Sequence, residues 1–355
     1  MATSMSLKTE LDDPHSRITR FLRRHFPATS STSRRYNPEI YRLQTIKPKA
    51  EYSTVEYTLV GTAFHYRVCF ALGPMPPRKA AAYRGARLLI SEGVVSAGLV
   101  ERFFSSLDEL TDVTVPHRNR LSAEEERQLA RFCLVLAHFE RAYRSPTGIP
   151  EGTIFDQVAP RSSNPRALLA LAVTSNVSDV VELAIDVRER LPAGVLRFNP
   201  TFAGSVDVGG ADGDLIIDRC LVEIKTTINP GLNRNRLFQL LGYALLDYKD
   251  RYRIDSLGVY WARQSHFSAW KLQELLLLLT GSGHNSLAPY RSAFAAHRGI
   301  VPRLPKALTP RVRPAVNKER IASAGQGMTG EIVSSTVPFP ITEVPISERP
   351  PFRRR

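Results

Sequence analysis

Apolar and polar positions alternate along this chain in two different periods, and the change between them divides it. Residues 79–93 (KAAAYRGARLLISEG), 95–107 (VSAGLVERFFSSL) and 122–144 (SAEEERQLARFCLVLAHFERAYR) repeat at helical spacing. The third of these opens with Ser122 and Glu125, the spacing of a capping box. Residues 178–191 (SDVVELAIDVRERL) read as one more capped amphipathic helix, stopped by Pro192 and Gly194. Residues 232–249 place Leu237, Leu240, Leu241 and Ala244 on one helical face, and residues 269–281 predict a last helix. Residues 166–173 (RALLALAV) suit helix or strand equally.

Between these helices the pattern becomes short and β-like. Residues 195–218 read as strand, Gly-rich turn and strand, residues 220–227 as the return strand of a hairpin, and residues 256–263 (SLGVYWAR) as another strand. Upstream, residues 53–60 (STVEYTLV) predict a short strand, with Gly61 and Thr62 starting a helix after it. Residues 1–50 show no sustained periodicity and read as a basic, flexible arm. From about residue 281 the chain turns Pro-rich and basic, the composition of a disordered tail. The fold expected is α/β: a mixed central sheet flanked by helices, with a helical insertion over about 78–175 and disordered basic ends, the folded part spanning 51–280.

Composition narrows the class. At 355 residues and 43% apolar content the chain can bury a substantial core. No apolar run approaches the roughly 20 residues of a membrane span, and the first residues carry no apolar signal-peptide core. Three scattered cysteines, Cys69, Cys133 and Cys220, make neither a disulfide framework nor a zinc knuckle, and suit a reducing cytoplasm. The net charge of +14 is uneven: residues 1–50 hold 10 Lys/Arg against 4 Asp/Glu, residues 281–355 hold 12 against 4, and the middle is neutral. Basic ends around a neutral middle point to a polyanionic partner, nucleic acid first, without a membrane. The Pro-rich tail also suits docking to a protein partner.

Residues 211–227 (ADGDLIIDRCLVEIKTT) put two acids and a lysine into an otherwise apolar hairpin. Unpaired charges in a buried strand are costly, so they face water or serve each other and a ligand. With a two-residue loop at Arg219 and Cys220, Ile216 would oppose Glu223 and Asp214 would oppose Lys225, which sets Asp214, Glu223 and Lys225 on one face. Ile224 would point into the core. A one-residue slip would scatter the set. Two carboxylates converging beside a lysine make a site for a hard cation, suited to phosphodiester hydrolysis.

These residues resemble the PD-(D/E)XK nuclease superfamily. Asp214 followed by Glu223-Ile224-Lys225 is similar to its signature, Gln239-Leu-Leu-Gly-Tyr243 to the QxxxY motif of the RecB-like branch, and Gly61-Thr-Ala-Phe-His65 to that branch's GxxxH motif. All three occur in the family's order, within about 58–265. The resemblance implies a restriction-endonuclease-like core and a Mg²⁺- or Mn²⁺-dependent deoxyribonuclease of repair, recombination or mobile-element defence. It implies that His65, Asp214, Glu223 and the Ile224 carbonyl bind the metal, that Lys225 orients the water or stabilises the transition state, and that Gln239 and Tyr243 position the DNA or the lysine. Gly213 stands where the pattern has Pro, and Asp212, of the same strand parity as Asp214, competes with it as the ligand. Arg234, Arg236 and Arg263 lie near the motifs and are candidates to grip phosphates. The alternative is a catalytically inactive nucleic-acid-binding or scaffold protein with a nuclease-like fold.

Overall fold

A computed structural model describes residues 6–114, 121–145, 149–150, 153–159, 162–281 and 285–297. Its helices, in chain order, are α1 (Leu7–Asp12), α2 (Arg17–His25), α3 (Thr29–Tyr41), α4 (Thr54–Leu72), α5 (Ala81–Ser91), α6 (Ala97–Thr114), α7 (Ala123–Arg144), α8 (Pro165–Ala170), α9 (Thr174–Leu183) and α10 (Val187–Arg190). The strands follow as β1 (Leu196–Phe198), β2 (Leu215–Ile217) and β3 (Cys220–Lys225), then α11 (Arg234–Leu246), β4 (Ser256–Trp261), β5 (His266–Lys271), α12 (Leu272–Thr280) and α13 (Ala288–His297). No helix among the described residues is long and apolar enough to cross a membrane.

The five strands lie side by side in chain order, antiparallel except for β3 and β4, which run parallel. A parallel pair needs a crossover, and α11 supplies it. Alternate residues of the sheet feed two cores. Leu215, Ile217, Val222, Ile224 and Tyr260 pack on one face with α4–α9, while Ile216, Leu221, Leu257, Val259 and Trp261 pack on the other with α1, α2, α11, α12 and α13. Covered on both faces, β2 and β4 are buried at every position, and apart from Ser256 neither carries a hydrophilic side chain. The architecture is mixed α/β, an open mixed sheet between helical layers.

Several expectations need correcting. Of the flexible arm expected over residues 1–50, the described part from residue 6 onward is instead folded: α1 to α3 bury Leu7, Leu11, Ile18, Phe21, Leu22 and Ile40 in the second core. Ser6 and Ser16 cap the first two helices, and the Asn37 side chain clasps both backbone groups of Leu232, at 2.7 and 2.9 Å. Residues 53–60 are not a strand but the opening of α4, where Ser53 and Glu56 form a full capping box. Residues 178–191 are two helices, α9 ending in a tightened turn in which Ala184 N donates to Val181 O. The segment after 281 contains α13, which with Leu287 just before it buries Tyr290, Arg291, Phe294 and Ala295; the tail reading for residues 298–355 lies outside the described residues.

The hairpin register also differs. Ile216 opposes Leu221 and Ile217 opposes Cys220, so the turn is Asp218–Arg219, with Asp218 at φ +53°. Asp218 is held there by Val195, whose N–H donates to its Oδ1 at 2.8 Å. The slip from the expected pairing is two residues, not one. Side-chain direction has period two, so the faces are kept.

Candidate active site

The cluster forms at the carboxyl end of β3, where three segments distant in sequence meet. The first is α4. An ideal Cβ on Gly61 would sit 3.0 Å from Thr226 Oγ1, just past the end of β3, so glycine here lets the helix approach the strand closely. One turn later, and so on the same side of the helix, is His65. Its Nδ1 lies 3.1 Å from Asp214 Oδ1.

The second segment is the hairpin. Asp214 immediately precedes β2, and its Oδ2 accepts the Ile224 N–H at 2.7 Å. Asn199 N donates to the Asp214 carbonyl at 3.1 Å, fixing its backbone from the β1 side. Glu223 lies one residue before Ile224, its side chain only 8% exposed, while His65, Asp214 and Lys225 keep 18%, 21% and 23%. The cluster is therefore buried at Glu223 and reaches solvent past Asp214 and Lys225.

The third segment is α11, capped by the Asn233 side chain on Arg236 N. Gln239 and Tyr243 stand one turn apart. The Gln239 carbonyl accepts from Lys225 Nζ at 2.9 Å, and its amide donates to Glu223 Oε1 at 2.8 Å and to the Tyr243 hydroxyl at 3.1 Å. Lys225 Nζ closes the ring on Glu223 Oε1 at 2.7 Å. Tyr243 stacks on Phe202, ring centroids 5.7 Å apart, which seats the helix against the loop after β1.

Electrostatics follow from this crowding. Burial and the neighbouring Asp214 push the Glu223 carboxyl up to about 7, against the pull of Lys225. Burial would raise Asp214 too, but His65, Lys225 and the Ile224 N–H hold it below the usual range. Burial would lower His65, yet Cys69 and Asp214 raise it well above an ordinary histidine. The buried Tyr243 hydroxyl, facing both carboxylates, is pushed well above its ordinary value.

The two carboxylates, one of them reluctant to ionise, suit a hard cation, whereas the imidazole, whose buried Nε2 has no partner among the described residues, would have to give up a proton to join them. As folded here they engage one another instead. No three His, Cys, Asp or Glu side chains among the described residues converge at ligating separation. Three clefts of 370, 330 and 450 Å³ include no residue of this cluster.

The candidate arginines are not brought to it. Arg263 is wholly buried and bidentate on Asp179, at 2.9 and 2.5 Å, with Nε on the Thr226 carbonyl at 2.8 Å. It holds the sheet rather than a phosphate. Arg236 bends back onto the Gly231 and Asn229 carbonyls and lies over the Trp261 ring, and Arg234 is exposed at the start of α11. Asp212 contacts Arg144 instead of His65, at 3.6 Å from Nη2, so Asp214 takes the central position. Arg144 itself, with Glu140 and Tyr66 behind it, carries no motif. Its one trace in sequence is a Glu–Arg pair at i, i+4, common on any helix.

Comparisons with family models, with curated proteins and with solved structures find no match.

Proposed function

We propose that this protein is a metal-dependent nuclease of the PD-(D/E)XK superfamily, RecB-like branch, hydrolysing phosphodiester bonds in DNA. One observation carries the reading: His65, Asp214, Glu223, Lys225, Gln239 and Tyr243, spread over 179 positions of the chain, assemble into one hydrogen-bonded cluster at the end of β3. Ordinary surface charges at such separations would have no reason to meet. An open mixed sheet between helical layers, with the carboxylates where β3 ends, supports a restriction-endonuclease-like core.

Within the cluster each residue has a part. Ile224 N–H and His65 Nδ1 fix the two oxygens of Asp214. Gln239, braced by the Tyr243 hydroxyl, ties Lys225 to Glu223 and so keeps the ammonium beside the carboxylates. There Lys225 is placed to hold the attacking water or to offset the charge developing on the phosphate. Mg²⁺ or Mn²⁺, when bound by His65, Asp214, Glu223 and the Ile224 carbonyl, would supply charge neutralisation and an activated water. Burial of Glu223 strengthens these electrostatic effects by excluding water from one side.

The test is cleavage of end-labelled single- and double-stranded DNA, and of RNA, with Mg²⁺, Mn²⁺ or EDTA. Wild type should cut with metal only, and Lys225→Ala and Asp214→Ala should each lose about 100-fold or more. Circular dichroism checks that both variants fold. A folded wild type that cuts nothing under any condition, or variants as active as wild type, would overturn the proposal.

A further inference from the structure

The helices between α4 and α9 bring one cation to the rim of the cluster. Arg144, the last residue of α7, donates from Nε to Glu140 Oε1 at 2.5 Å. The other oxygen of Glu140 accepts the Tyr66 hydroxyl at 2.5 Å, and Tyr66 follows His65 on α4. The far end of the guanidinium faces Asp212, Nη2 lying 3.6 Å from Oδ2. That is longer than the about 2.7–2.9 Å of a charge-assisted bond. Half of the Arg144 side chain is exposed, whereas that of Glu140 is only 16% exposed.

This is more than a pair one helical turn apart. Glu140 is anchored from both sides, so the direction of the guanidinium is set by α4 as well as by α7. It is aimed at residues 212–214, the segment that carries Asp214. Its charge is felt by the Tyr243 hydroxyl inside the cluster. A planar fork with one end braced and the other on a long, exposed contact is suited to a phosphate oxygen.

We infer that Arg144 holds a phosphate of the bound strand at the mouth of the cluster, exchanging Asp212 for it, with Glu140 and Tyr66 as positioning residues. The inference rests on the nuclease reading for its substrate class, a nucleic-acid strand. It also gives the helical segment a task, since α7 delivers the arginine that Arg263 and Arg236 do not provide.

The experiment uses the full chain and labelled DNA in EDTA, so that binding is read without cleavage, followed by steady-state cleavage with Mg²⁺. Arg144→Ala should flatten the plot of log affinity against log salt by about 0.9 for a duplex or 0.7 for a single strand, one phosphate contact. It should weaken binding about tenfold and raise KM more than it lowers kcat. Arg144→Lys, which keeps the charge, should keep the slope. Arg127→Ala, an exposed arginine on the same helix paired with Glu124, should change nothing. An unchanged slope and KM in Arg144→Ala, or an equal change in Arg127→Ala, refutes the role of Arg144 while the nuclease stands. A slope that falls as stated in a wild type that never cuts removes the nuclease and leaves the phosphate contact. A wild type that neither binds nor cuts removes both.

Discussion

Replacing Arg263 by Met probes a wholly buried ion pair of this fold. Arg263 and Asp179 are both 0% exposed and joined by two bonds, and the guanidinium also reaches the Thr226 carbonyl. Methionine fills similar space but leaves the Asp179 carboxylate buried without its partner, which costs about 3–5 kcal/mol. Against a typical domain stability of roughly 5–15 kcal/mol, that is a large fraction. Asp179→Leu should cost a comparable amount by stranding the guanidinium. The double variant Arg263→Met/Asp179→Leu should cost at least about 2 kcal/mol less than the two singles together, because a buried pair exchanged for apolar groups leaves no orphan charge. Urea denaturation followed by circular dichroism measures all three, with an unchanged m-value showing that the same surface unfolds. A single-variant cost below about 1 kcal/mol would mean that Arg263 is solvated, as a phosphate-gripping arginine would be, and the structural reading would fail. Strict additivity in the double variant would refute the coupling.

Two further outcomes follow from the fold and the cluster. Glu223 ionises at about 7 in the fold against 4.5 unfolded, so the native state holds more protons in that window and metal-free stability should fall as pH rises through it, by up to about 3 kcal/mol from this group. The raised His65 acts in the same sense, lending stability below its unfolded value that is lost at higher pH. Mg²⁺ needs the deprotonated carboxylate and should raise the melting temperature more at pH 8 than at pH 5.5; a shift independent of pH would contradict this assignment. Leu22→Ala, in α2 and fully buried, should cost about 2–5 kcal/mol in chemical denaturation, whereas a change within about 0.5 kcal/mol would return residues 1–50 to the status of an arm.

The elements that could be read from sequence were those with both a period and a boundary. The α7 helix has Ser122 and Glu125 at its start, and the structure reproduces that capping box. The same signal stood at Ser53 and Glu56, but Thr54, Val55 and Thr58 weighted the segment toward strand, and the rest of a 19-residue helix overrode that local preference. The first two helices were hidden by brevity, since Leu7 and Leu11, or Ile18, Phe21 and Leu22, are correctly spaced but too few to stand out among arginines and serines, and the 13-residue third by its serines, threonines and the internal Pro38. Strand β5 is visible only through its partner, since Ser268 and Ala269 acquire a reason to be extended by pairing with Val259 and Gly258. Asp214, Glu223 and Lys225 were legible because carboxylates and a lysine within an apolar hairpin conflict with burial, whereas His65, Gln239 and Tyr243 stood out only through the resemblance to family motifs. Arg263 was misplaced by the same logic run in reverse: nearness in sequence says nothing about which way a guanidinium turns, and Asp179, 84 positions upstream, decides it. Arg144 left no comparable mark.

The span between His65 and Asp214 bears on synthesis. When α4 leaves the ribosome, the hairpin that will meet it is still 149 residues away, and α11 later still. Chains emerge from their N-terminus at about 5–20 residues per second, so the histidine waits on the order of ten seconds for its carboxylate. Throughout that interval no partial product carries the assembled centre. The cluster is complete only when α4, the hairpin and α11 have all joined the fold, so no N-terminal fragment of the growing chain can hold it.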